Sequence, residues 1–274
     1  MISLSTIIAC CVTLAVSLIL PVLVLICLAM KNKKQGIVSA WLLGAAGFFV
    51  TQILIRIPIL TALQNQSWFL TFAQNHLFSY AFSLAFTAGL FELAGRFAVA
   101  RIMQKRLTLR RSLAAGLGHG GIEAIILIGI TYINNLAYIA MINSGTFDTV
   151  VAQTAALGVD VSQLELIRQQ LVSASPALFL LAGLERILAM TGHAAMSMLV
   201  CYGVAHGKAS LCALLCLGIH TLMDLTAGIS LVLPQSTAYP IIYAILTLMA
   251  VLSLFVMREI TRRWKKEVSY ASEE

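Results

Sequence analysis

The sequence predicts an all-α fold: a polytopic membrane helix bundle of about seven transmembrane helices, N-terminus outside and C-terminus cytoplasmic. Three observations predict it. Of 274 residues, 60% are hydrophobic and 11% charged, where an ordinary soluble domain carries about a quarter charged residues. Apolar runs long enough to cross a hydrocarbon core about 30 Å thick, which takes about 20 helical residues, fall near 3–30, 37–60, 72–99, 113–141, 176–202, 209–232 and 238–257. Basic residues alternate between the connections: Lys31, Lys33 and Lys34 follow the first run, Arg101, Lys105, Arg106, Arg110 and Arg111 the third, Lys208 the fifth, and Arg258, Arg262, Arg263, Lys265 and Lys266 the seventh. The other connections, 61–71, 142–175 and 233–237, hold one basic residue, Arg168, so the positive-inside bias orients the bundle. The runs are continuous, unlike the alternating ten-residue segments of a barrel. The net charge of +7 is confined to the flanks without interleaved aromatic residues, which argues against a nucleic-acid platform.

The first run is too long for a signal-peptide core, lacks a basic leader and ends in KNKK, so it is expected to be a retained span. Its Cys10 and Cys11 read as plain apolar cysteines; with Cys27, Cys201, Cys212 and Cys216 they lie in or beside spans, where disulfides have no structural task. In the second run Gln52 and Arg56 could line a cavity, and Pro58 is expected to kink or end the helix. The third run carries Glu92 and Arg96, four residues apart, expected to support the structure by pairing with each other or to orient a site on neighbouring helices.

The fourth run opens with GLGHGGIEA at 116–124, which puts His119 and Glu123 on one helix face. Gly116, Gly118, Gly120 and Gly121 surround the histidine, each costing about 1 kcal/mol in a helix interior relative to alanine, and are expected to let a neighbouring backbone come close. The connection 142–175 contains an amphipathic stretch, VSQLELIRQQL, expected on the outer surface. The fifth run carries Glu185, Arg186 and His193. Arg186 is too deep to snorkel, and adjacent helical residues point about 100° apart, so it is expected to reach another helix, with Glu92 as its candidate partner. The sixth run carries Cys212, Cys216, His220 and Asp224 on one stripe, and a straight helix cannot wrap four ligands around one tetrahedral ion. His76 and His206 read as interfacial histidines. The seventh run continues into a charged cytoplasmic tail, 258–274, expected to be a short helix that frays. No linker divides the chain, so 1–274 reads as a single integral membrane domain with a catalytic-like core at 113–232.

Charged side chains near a bilayer centre cost on the order of 3 kcal/mol and usually serve catalysis, transport or ion binding. At about 1.5 Å rise per residue, His119, Glu123, His193 and His220 all lie roughly 9–16 Å from the cytoplasmic side, with Asp224 one turn deeper. Three helices thus converge at one level. A carboxylate flanked by histidines can activate water and stabilise an oxyanion, the requirement for peptide hydrolysis. No HExxH and no GxSxG is present. The alternatives are a catalytically inactive membrane scaffold or substrate-binding subunit, which would tolerate Glu123→Gln, and a proton- or metal-coupled transporter, which would need water paths on both sides.

GHGGIEAI at 118–125, ERILAMTGHAAMS at 185–197 and HTLMD at 220–224 resemble the motifs of the YhfC family of membrane peptidases, related to PrsW, the CPBP (CAAX type II) proteases and the APH subunit of gamma-secretase. The resemblance implies a glutamic-type intramembrane protease of the bacterial cytoplasmic membrane, acting on membrane protein or peptide substrates. In it Glu123 activates water, His193 assists, and His220 with Asp224 holds the oxyanion. CPBP enzymes carry EExxxR in their first motif; aligned on Glu123, this chain has Ile122 before it and Leu127 at the arginine position. His119 and Arg186 are then expected to replace the missing partner and cation. That scheme requires no cofactor, although a histidine-rich cavity could bind zinc adventitiously.

Overall fold

The computed structural model describes residues 1–33 and 35–271, with side chains described to residue 266. Among the described residues seven helices are long and apolar enough to cross a membrane. They are α1 Leu4–Lys31, α2 Ile37–Gln64, α4 Leu77–Arg106, α5 Leu109–Ser144, α8 Pro176–Ala205, α9 Ala209–Leu231 and α10, which begins at Gln235 and continues as helix to Ala271. Three short helices lie between them: α3 Ser67–Asn75, α6 Phe147–Ala156 and α7 Ser162–Ser173. The chain is therefore all-α, with the composition and helix lengths of a polytopic membrane protein.

Local chemistry sets these boundaries. The Ser3 hydroxyl accepts from the Thr6 backbone at 3.2 Å and caps α1. Gly145 ends α5 and Gly207 turns α8 into α9, both with positive φ, 77° and 69°, where only glycine is unstrained. The third apolar run begins later than expected. His76, at φ −131° and ψ 55°, leaves helical geometry, so residues 72–75 belong to α3 and the span starts at Leu77. Pro58 does not end its helix: α2 continues to Gln64 because residues Phe49–Arg56 widen into a π-helical segment, and such a turn absorbs the donor the proline lacks. A second π-helical segment, Ala15–Ile19, likewise precedes Pro21, and a third, Ala124–Gly129, follows Glu123. The amphipathic stretch expected at 161–171 forms α7. Asp160, just before it, accepts from the Ser162 backbone and hydroxyl at 2.9 and 2.8 Å, which holds its carboxyl below the usual range. The charged tail continues α10 as helix, and the fraying expected beyond Ala271 lies outside the described residues.

The chain divides into two compact units, one of residues 1–22 and 124–187, the other of 23–123 and 188–274. In the first, Ala9 and Cys10 of α1 pack with Tyr132, Ile139, Leu171 and Phe179. The Phe179 carbonyl accepts from Thr13 at 2.6 Å and from the Tyr132 hydroxyl at 3.1 Å. Glu185 and Arg186 belong to this unit and pair with each other. Two long flexible side chains bridge the roughly 100° between these adjacent positions.

The second unit is assembled on small residues. A Cβ on Gly118 would lie 2.0 Å from the Trp41 carbonyl oxygen, and one on Gly44 would lie 1.8 Å from that of Ala115, so α2 and α5 touch backbone to backbone. Gly116 and Gly120 turn to α8 instead, where added Cβ atoms would come within 2.7 Å of Ala194 Cα and 2.9 Å of His193 Cβ. Met103, Ala114, Ala115, Met196, Val200 and Cys216 form the core around these contacts.

Candidate functional site

The second unit brings polar groups from α2, α4, α5, α8 and α9 to one buried point, and Glu92 of α4 is its hub. A carboxylate only 4% exposed is stable only when donors surround it. Its Oε1 accepts from Gln52 Nε2 at 2.8 Å. Its Oε2 lies 3.0 Å from Arg96 Nη2, 2.9 Å from His119 Nε2 and 2.7 Å from His220 Nε2, with His193 Nδ1 at 3.7 Å. All three imidazoles are buried. His119 and His193 stack at 5.4 Å between ring centroids, His193 meets His220 edge-on at 5.6 Å, and Phe48 closes the other side of His119 at 5.4 Å.

An outer ring of carboxylates completes the arrangement. Glu123 Oε2 lies 2.6 Å from His193 Nε2, and Asp224 Oδ2 lies 3.5 Å from His220 Nδ1. Two histidines therefore present one nitrogen to an outer carboxylate and the other towards Glu92. The outer carboxylates are the accessible ones, their side chains 12% and 38% exposed. Arg96 Nη2 also approaches His193 Nδ1 at 2.5 Å, so the guanidinium ties α4 to α8 as well as neutralising Glu92.

The structure thus gathers His119, Glu123, His193, His220 and Asp224, the five residues expected to be catalytic on the fourth to sixth runs. It moves Glu92 and Arg96 from a supporting position to the centre. A spacing signal for this was present: Glu92 and Arg96 reproduce the ExxxR portion of EExxxR, with Phe91 in the first position, whereas Glu123 has no arginine four residues on. Gln52 and Arg56 belong to the same network. Cys212 and Cys216 share a helix with His220, but among the described residues the His, Cys, Asp and Glu atoms close enough to hold one ion are those of Glu92, His119 and His193, all within 4.8 Å of one another. His206 hydrogen-bonds the Tyr202 carbonyl at 2.8 Å and packs between Tyr202 and Trp264, and His76 stacks by Phe72; neither joins the cluster.

That donor set suits a divalent cation. Imidazole nitrogens with a carboxylate oxygen are the ligands of zinc sites, and metal-bound histidines ordinarily present their second nitrogen to a carboxylate or carbonyl, as His193 does towards Glu123 here.

A family profile described as YhfC intramembrane metalloprotease matches residues 16–260. Among curated proteins, an uncharacterized membrane protein YhfC from Bacillus subtilis is 30% identical over 225 residues, 81% of this chain and 85% of that protein. No solved structure matches.

Proposed function

The chain belongs to the YhfC family of membrane proteins, and from that premise we propose that it is an intramembrane peptidase whose reacting centre is the cluster around Glu92. One observation carries the reading: two buried imidazoles, each with a carboxylate beside its outer nitrogen, at 2.6 Å for His193 and 3.5 Å for His220, turn their other nitrogen towards the same carboxylate oxygen. Packing does not require that pattern, and peptide hydrolysis uses it. Glu92, His119 and His193 would hold a divalent cation, with His220 Nε2 beside them. When bound there, such an ion would act as a Lewis acid on the scissile carbonyl and on water.

The remaining steps fall to the chain's own groups. Glu123, more accessible than Glu92 and against His193, accepts a proton from the attacking water and returns it to the leaving amine. Asp224 stands by His220 Nδ1 at 3.5 Å, and stabilising the developing oxyanion falls to His220. Arg96 fixes Glu92 and keeps the buried charge balanced. Burial of the cluster excludes bulk water and strengthens each of these interactions.

A second reading, glutamic-type hydrolysis without metal, is favoured by Arg96, which already occupies His193 Nδ1. In that scheme Glu123 is the base and the histidines hold the oxyanion unaided. Chelation separates the two readings: metal-assisted cleavage of a single-span peptide stops on removal of bound zinc and returns when zinc is restored, whereas glutamic cleavage is unaffected. The substrate class under either reading is a membrane-embedded or membrane-adjacent protein, and the alternating basic connections favour an outside N-terminus and cytoplasmic C-terminus in a bacterial membrane.

A further inference from the structure

We propose that Gln52, with Arg56 behind it, is the positioning residue that fixes the plane of the Glu92 carboxylate by holding one of its oxygens, so that the other alone faces the histidines. This rests on the reading that Glu92 stands at the reacting centre. Gln52 lies in the π-helical segment Phe49–Arg56; such segments widen the helix by one residue per turn and recur at functional sites. It is buried, and every polar atom of its amide is engaged. Nε2 donates to Glu92 Oε1 at 2.8 Å and to the Ala88 carbonyl at 3.3 Å. Oε1 accepts from Arg56 Nη1 at 3.2 Å.

Arg56 gives this chain of contacts its direction. Its Nη2 donates to the Leu84 carbonyl at 2.7 Å, and Nε and Nη2 both reach the Thr87 hydroxyl at 3.4 Å. Leu84, Thr87, Ala88 and Glu92 follow the spacing of one face of α4, so α2 is clamped along that face up to the carboxylate. A guanidinium has donors only. The amide oxygen must therefore face Arg56 and the amide nitrogen must face Glu92, which settles an orientation that the shape of a glutamine leaves open. With Oε1 held by Gln52, Oε2 is the oxygen presented to Arg96, His119 and His220. The terminal torsion of a glutamate is broad, so without this clamp the carboxylate plane would turn and both oxygens would share those donors.

The test uses the full-length protein in detergent, labelled with 15N-histidine, because only five histidines are present, His76, His119, His193, His206 and His220. Imidazole nitrogen spectra are recorded without metal for the wild type, Gln52→Leu, Arg56→Met and Arg56→Lys, and zinc affinity is measured by competition with a chromophoric chelator. Gln52→Leu and Arg56→Met should move the His119 and His220 signals while leaving His76 and His206 in place, and weaken zinc binding by about 10–100-fold. Arg56→Lys keeps a donor against the Gln52 oxygen and should restore the wild-type spectrum. Unmoved His119 and His220 signals in folded Gln52→Leu would overturn the inference, as would a shift of all five histidines, the mark of general loosening. A wild type that takes up no zinc would remove the metal reading of the site, and the metal-free spectra would still decide the role of Gln52.

Discussion

The two glutamates of the site differ in what surrounds them, and so their substitutions should differ. Glu92 is enclosed by Arg96, Gln52 and two imidazoles. Glu92→Gln should abolish cleavage and also destabilise the fold by about 3–5 kcal/mol, since Arg96 is left as an uncompensated buried charge; activity assays and thermal unfolding in detergent report the two effects. Glu123, at the rim, should lose cleavage by about 10²–10⁴-fold on change to Gln, with little change in unfolding temperature. Asp224→Asn keeps shape but removes the outer charge from His220 and should weaken zinc binding by about 10–100-fold, measured by competition titration. The histidines and Glu123 were legible in the sequence because an ionisable group in an apolar run is costly and asks for a reason. The centrality of Glu92 was marked only by the ExxxR spacing it shares with Arg96. Arg96 four residues on gave it a sufficient local partner, and nothing in one helix shows that three others bring imidazoles to the same oxygen. Gln52, uncharged, gave a weaker signal still.

At the scale of elements, α5 depends on its missing side chains. Gly118→Ala would drive a Cβ to 2.0 Å from the Trp41 carbonyl, a backbone atom that cannot swing aside, so the cost should reach or exceed the roughly 1–3 kcal/mol of ordinary overpacking. Gly218 of α9 has nothing within 4 Å of its Cβ position, and Gly218→Ala should be neutral or stabilise by up to about 1 kcal/mol. Thermal unfolding of the two variants side by side checks both. The role of the α5 glycines in close approach could be read from their spacing around His119; which neighbour each one meets could not, because composition does not say that 118 faces α2 while 116 and 120 face α8. The π-helical segments were equally hidden. A proline in a span announces a kink or an end, and only the folded backbone shows that Pro58 is instead accommodated by widening the preceding turns, which also carries Gln52 to Glu92.

For the molecule as a whole, seven apolar runs in the sequence became seven long apolar helices among the described residues, since length and hydropathy are what make a segment able to cross a membrane. The division into two compact units was not legible, because its boundaries at 22, 123 and 187 fall inside continuous helices and leave no compositional mark. The charge pattern makes a statement about orientation that reporters can check. A fluorescent protein fused after the C-terminus should mature in the cytoplasm, and alkaline phosphatase inserted in 142–175 should be active outside; the reverse result would invert the topology. The most direct test of the central proposal is to purify the full-length protein, determine its metal content, and follow cleavage of a single-span peptide before and after chelation. About one zinc per chain, with cleavage lost on chelation and regained on adding zinc, is the expected result. Full cleavage by metal-free protein, abolished by Glu123→Ala, would contradict the metal-assisted site and establish the glutamic mechanism in its place.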